Sequence, residues 1–151
     1  AVGAAGRVYG FDIQPQAVQA TRQRLQAQGL LDRVDLYLAS HAGMGRYIPE
    51  IHHGGIMAVM FNLGYLPGAD KNIITRADST VVALTEACGL LAMGGVLTVT
   101  VYPGHPGGDE EAAGVEAWAC GLDGKGYQVE TVLSQLHQAS APRLFVVRKQ
   151  A

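Results

Sequence analysis

The run Ile56-Met57-Ala58-Val59-Met60, with the segment that follows it, limits the fold more than any other part of this 151-residue chain. An unbroken apolar run of this length reads as a strand buried on both faces, the kind that fills a parallel α/β sheet. It gives way to Phe61-Asn62-Leu63-Gly64-Tyr65-Leu66-Pro67-Gly68-Ala69-Asp70-Lys71. An Asn, a Tyr, a Pro and two Gly at the end of a buried strand are poor core material. They suit a site: an amide that both donates and accepts hydrogen bonds, an aromatic face for a planar substrate, and turn residues to hold them. Ligands of open α/β sheets lie outside the carboxyl ends of the strands. The segment therefore marks the lip of a candidate active site.

The rest of the chain alternates in the same way. Arg7 to Phe11 reads as a strand closed by Asp12, and Pro15 opens a helix with Gly29 as its C′ residue. Val34 to Leu38 is the next strand, ending at Ala39-Ser40-His41. Residues 43–55, with several Gly and a Pro, read as a weak helix or a long loop. Asp78 or Ser79 caps a helix with Val81, Leu84, Thr85, Cys88 and Leu91 at helical spacing, stopped by Gly94-Gly95. Val96 to Val101 is a strand that runs into Tyr102-Pro103-Gly104-His105-Pro106-Gly107. Asp109, Glu110 and Glu111 open a helix where negative charge meets the positive dipole end, with Val115, Trp118, Ala119 and Leu122 as its core face. Tyr127 to Val132 and Leu144 to Arg148 read as an antiparallel closing pair at the sheet edge. Strands alternating with helices imply a doubly wound, mostly parallel sheet with an antiparallel edge strand.

With 48% hydrophobic residues, the chain can bury a core of one domain over residues 1–151. A net charge of −2 gives no global basic field for nucleic acid, so any RNA contact has to be local. Cys88 and Cys120 fall in apolar helical patterns and read as small buried hydrophobes in a reducing, cytoplasmic compartment. No apolar run reaches membrane-span length, and no metal-ligand spacing appears. His52 and His53, being adjacent, point apart. The chain has no initiator Met and opens mid-pattern on Ala1-Val2-Gly3-Ala4-Ala5-Gly6, which reads as an amino-terminally incomplete domain.

Several residues at strand ends could carry chemistry. A carboxylate such as Asp12, between a strand and a helix, can accept both hydroxyls of an adenosine ribose, or serve as a turn or helix cap. Gln14 could line the same pocket, and Ser40-His41 could bond or stack on an adenine. Asn62, followed by an aromatic and a Pro, resembles the Asn-Pro-Pro-Tyr motif of amino-methyltransferases. There the amide oxygen and a backbone carbonyl accept the N–H bonds of the target amine. Tyr65, Tyr102 and His105 are the nearest candidates to favour loss of the amine proton. The segment containing Tyr102 and His105 follows its strand directly and should face Asn62 across the cleft.

The four motifs Tyr9-Gly10-Phe11-Asp12-Ile13-Gln14, Ser40-His41, Phe61 to Lys71, and Tyr102 to Gly107 span nearly the whole chain. In this order the chain resembles the bacterial putative rRNA methylase family, later understood as tRNA wobble-uridine methyltransferases. Members convert 5-aminomethyl-2-thiouridine in the anticodon to its methylaminomethyl form. The resemblance implies a Rossmann-like class I methyltransferase fold and S-adenosylmethionine as cofactor. Asp12, Ile13 and Gln14 then lie near the ribose, Ser40 and His41 near the adenine, and Asn62, Leu63 and Gly64 along the methyl end. It also implies a tRNA anticodon loop as substrate, contacted by Tyr65, Lys71, Arg76, Tyr102 and His105, with no membrane or metal partner. A homodimer is compatible with the sequence. The chain has Ala69 where members carry Gly, and Pro103 where they often carry another residue.

A larger departure is that the family's first strand and Gly-rich loop have no counterpart here. In the usual order 3-2-1-4-5-7-6 that strand is central, between the strands ending at Asp12 and Asn62. Residues 1–151 alone are therefore expected to bind S-adenosylmethionine weakly and to aggregate through two apolar strand edges. Three alternatives stay open: an rRNA target, a nicotinamide-dependent oxidoreductase using Asp12, and a non-catalytic RNA-binding or assembly module of the same fold.

Overall fold

The computed structural model describes residues 2–63, 77–104, 107–122, 124–133 and 141–150. Strand β1 (Val8–Asp12) leads into helix α1 (Pro15–Ala27), which starts with Pro15 in its first turn and ends as the sequence predicts. Gly29 has φ 64°, its N–H donates to Gln26 O, and the Leu30 N–H donates to Leu25 O. That is the Schellman closure, which needs a residue without a Cβ at the left-handed position. The chain returns in β2 (Val34–Leu38), paired parallel to β1 from Val8 opposite Val34 to Asp12 opposite Leu38.

The second unit holds β3 (Ile56–Asn62), α2 (Ala77–Leu90), β4 (Leu91–Val101), α3 (Gly108–Leu122), β5 (Tyr127–Leu133) and β6 (Arg143–Lys149). Its strands lie in the order β3-β4-β6-β5, with β3 and β4 parallel and the other pairs antiparallel. The expected closing pair is present, with β6 inserted between β4 and the edge strand β5. The two-stranded sheet β1-β2 supplies the 3-2 part of the methyltransferase order, and the four-stranded sheet supplies 4-5-7-6. Among the described residues no strand joins β1 to β3.

The core lies on one face of the larger sheet. Leu97, Val99 and Val101 of β4 alternate inward, and Phe145 and Val147 of β6 stand in register beside Val99 and Leu97. Ala83, Leu84, Ala87 and Cys88 of α2 and Ala112, Val115 and Ala119 of α3 close over them. Each large aliphatic or aromatic side chain so buried contributes about 1.5–3 kcal/mol. No helix among the described residues is long and apolar enough to cross a membrane.

Three sequence expectations change, and the weak helix or loop expected over residues 43–55 is borne out. β3 is not buried on both faces: Met60, on the side away from Phe61, is 84% exposed on this edge strand, and Met57, at the register shift between Ile56 and Ala58, is 63% exposed. Helix α2 stops at Leu90, short of Gly94-Gly95. There the Lys149 ammonium donates to Leu91 O at 2.8 Å and to Cys88 O at 3.5 Å, a cation at the negative helix end. Cys88 is buried and its thiol is pushed up to about 11 by that burial, but Cys120 is exposed on α3. Residues 43–55 contain parts of two 3-10 helices, His41–Arg46 and Glu50–His52.

Phe145 is the largest fully buried side chain among the described residues. Phe145→Ala should lower unfolding free energy by about 3–5 kcal/mol, read by urea denaturation. Ile51→Ser, at a position 86% exposed, should stay within about 0.5 kcal/mol of the parent.

Candidate active site

The carboxyl ends of the parallel strands carry the polar residues named above. At the end of β1, Asp12 Oδ1 accepts the Gln14 N–H at 2.8 Å, and Asp12 O accepts the Ala39 N–H at 3.0 Å. The carboxylate thus caps the turn into α1, and Gln14 itself makes no side-chain cap. Among the described residues Asp12 Oδ2 has no hydrogen-bond partner, so capping leaves one oxygen for a ligand hydroxyl. Gln14 is buried and Ile13 beside it is exposed, which gives the carboxylate an apolar neighbour on the solvent side.

After β2, Ser40 Oγ accepts the Ala42 N–H at 3.2 Å and caps the His41–Arg46 helix. The His41 ring meets Phe61 edge-on, with centroids 5.7 Å apart. This contact brings the end of the smaller sheet against the end of β3. Among the described residues His41 Nε2 is buried without a hydrogen-bond partner. Burial lowers the His41 pKa below its ordinary value, opposed by the charges of Glu111 and Asp12. An orphaned ring nitrogen after one strand and an open carboxylate oxygen at the end of the strand paired with it fit a nucleoside with a ring edge and ribose hydroxyls to offer.

At the acceptor end, Leu63 N–H donates to Thr100 O at 3.0 Å and extends the β3-β4 ladder past Asn62. Asn62 is exposed at the strand tip, and its Oδ1 accepts the Tyr102 hydroxyl at 2.8 Å. Leu63 is 3% exposed and belongs to the core beneath. Tyr102 lies just beyond β4, and Gly104, at φ 89°, turns the chain so that its N–H donates to Asp109 Oδ1 at 3.2 Å. Gly64, Tyr65, Lys71, Arg76 and His105 lie outside the described residues.

One pair was not singled out from the sequence. Thr80 Oγ1, 0% exposed, donates to Glu111 Oε1 at 2.7 Å, and Glu111 is 3% exposed. Glu111 looks like one of three dipole-facing acids, yet it stands four residues before Val115, on the buried stripe of α3. Thr80 likewise stands four residues before Leu84 on α2. That spacing was the available signal.

His52 and His53 are occupied elsewhere: His52 Nδ1 shares a hydrogen bond with the Tyr9 hydroxyl, and His53 Nε2 with Ile48 O at 3.0 Å. Among the described residues no three His, Cys, Asp or Glu side chains gather as a metal site.

Comparison with known proteins agrees with this geometry. A family profile described as putative rRNA methylase matches residues 8–149. The chain is 45% identical over 124 residues to the chloroplastic tRNA (mnm(5)s(2)U34)-methyltransferase of Arabidopsis thaliana. The match takes in 80% of this chain but 44% of that protein, so the chain spans less than half the length of this relative. A putative rRNA methylase structure from Clostridium thermocellum is 39% identical with a TM-score of 0.90, over 97% of this chain and 77% of that one. A putative methyltransferase from Streptococcus mutans, solved in complex with SAH, is 34% identical with a TM-score of 0.83, over 95% and 76% of the two chains. The sheet order, the strand-end residues and these matches together give a class I methyltransferase fold, and the chain belongs to the putative rRNA methylase family.

Proposed function

We propose that this protein is an S-adenosylmethionine-dependent RNA methyltransferase that N-methylates the aminomethyl group of a tRNA wobble uridine. The observation that carries this reading is the Tyr102–Asn62 hydrogen bond at the carboxyl ends of β4 and β3. It fixes an exposed amide with its oxygen partly engaged and its second lone pair open to an amine N–H. The 45% identity to a plant wobble-uridine methyltransferase favours the tRNA target over rRNA. A cytoplasmic setting keeps the exposed Cys120 reduced.

Asp12, Ile13, Gln14, Ser40 and His41 would hold the cofactor's nucleoside, and Leu63 and Gly64 would line its far end. S-adenosylmethionine, when bound, supplies a methyl group activated by its sulfonium. The protein's own contribution is to hold a neutral amine in line and free of water. Asn62 Oδ1 accepts one amine N–H and thereby aims the nitrogen lone pair. Tyr102 directs its proton to Asn62, which makes it the holder of the amide and leaves Tyr65 or His105 to favour loss of the ammonium proton. The aromatic faces of Tyr65 and Tyr102 suit a splayed anticodon base, with Lys71 and Arg76 on phosphates. A homodimer is compatible with this arrangement.

The decisive assay is transfer of labelled methyl from S-adenosylmethionine by the intact protein to unmodified tRNA, aminomethyl-modified tRNA and rRNA. Label on the aminomethyl tRNA is the expected result. Label on rRNA keeps the reaction class and overturns the substrate. Asn62→Ala should cut turnover about a hundredfold while cofactor affinity stays within about threefold. A variant with unchanged turnover points to a non-catalytic role. Tyr102→Phe removes one hydrogen bond, worth about 1 kcal/mol, and should slow turnover about fivefold.

His41 yields a pH test. Its pKa is lower in the folded protein than in the unfolded chain. As pH falls through about 6.5 the unfolded chain takes up the proton first, so native stability drops from there downward. Thermal melts between pH 8 and pH 5, on the order of this window, should show a smaller acid loss for His41→Gln than for the parent. Equal acid limbs would show that His41 is not the group responsible.

A further inference from the structure

Among the described residues, two hydrogen bonds between side chains join the β3–α2 unit to the β4–α3 unit at the site edge. Tyr102 to Asn62, at 2.8 Å, ties the strand ends. Thr80 to Glu111, at 2.7 Å, ties the first turns of the two helices. The segments that run from strand to helix in each unit therefore have their starts joined to one another and their ends joined to one another. These are the segments that carry the acceptor motifs, Phe61 to Lys71 and Tyr102 to Gly107.

The second tie is chemically costly. A carboxylate out of water loses several kcal/mol unless its oxygens are bonded, and an apolar side chain of similar size is often as stable or more so. Glu111 sits on the same stripe as Val115 and Ala119, where a Leu would extend the core. Core packing therefore does not explain the choice of Glu. A hydrogen bond has something a Leu contact lacks: it specifies one distance and one direction between two helix starts. Two further observations place it by the site. The Glu111 N–H donates to Gly107 O at 3.0 Å, next to the Tyr102 segment. The Glu111 charge also acts on His41.

We propose that Thr80 and Glu111 are positioning residues for methyl transfer, whose buried hydrogen bond sets the α2 and α3 starts and so keeps Asn62 and Tyr102 in register. The inference rests on the methyltransferase reading above, but part of its test does not. Thr80→Val keeps the side-chain volume and removes the donor, and Thr80→Ser restores it. In the intact protein, Thr80→Val should lower kcat/KM for aminomethyl tRNA about tenfold with cofactor affinity within about twofold, and Thr80→Ser should recover most of it. Glu111→Leu should lose activity to a similar degree even if its Tm rises, whereas Glu111→Gln, which keeps an oxygen for Thr80, should retain it.

Amide hydrogen exchange reads the same link without catalysis. In Thr80→Val, and in Glu111→Leu should Thr80→Val fail to fold, the Leu63 and Gly104 amides should exchange about fivefold or more faster, with Val99 unchanged. A folded Glu111→Leu or Thr80→Val enzyme with parental kcat/KM and parental exchange at Leu63 and Gly104, whatever its Tm, overturns the proposal. If the parent does not methylate tRNA at all, the substrate reading fails, and exchange at those two amides alone decides this one.

Discussion

The parallel register of β3 on β4 sets where every acceptor-side group can be. Phe61 stands opposite Val99 and Asn62 opposite Thr100, and Leu63 adds one more rung through Thr100 O. Side chains alternate along a strand, so the register that turns Phe61 and Val99 into the helix-covered core turns Asn62 and Thr100 out of it. A slip of one residue would bury the amide and expose the phenylalanine. The buried row Leu97, Val99, Val101, Phe145 and Val147 penalises that slip by several side chains at once. The same register sets Tyr102, the residue after β4, within reach of Asn62. The core thus sets which way Asn62 and Tyr102 face without either of them entering it.

Much of this was readable from residues in sequence. Each apolar run and the polar residues that close it proved to be a strand and its carboxyl end, since period and turn chemistry are local properties. Gly29 closed α1 as its position suggested, because a left-handed C′ residue is demanded by backbone geometry alone. What local pattern could not give was which face of an element finds a partner. Met60 is as apolar as Val59, yet only the side of β3 that carries Val59 and Phe61 packs into the core. Cys120 and Cys88 share a helical pattern and differ only in what lies opposite them. The end of α2 depended on Lys149, distant in sequence, reaching its last carbonyls. Thr80 and Glu111 follow the same rule: each looked like an ordinary helix-start residue until the other was known to face it.

The two ties at the site edge also differ in kind, and the difference matters for how such a site holds its shape. Tyr102 and Asn62 are exposed, so their hydrogen bond competes with water and adds little to stability. Its use is directional, since it decides which way an amide presents its oxygen. Thr80 and Glu111 are sealed from water, where breaking the bond removes a partner that solvent does not replace. A weak exposed contact can be remade around an incoming substrate, while a strong buried one cannot be exchanged without cost. An edge built from both ties the helix starts by the buried bond and the strand ends by the exposed one.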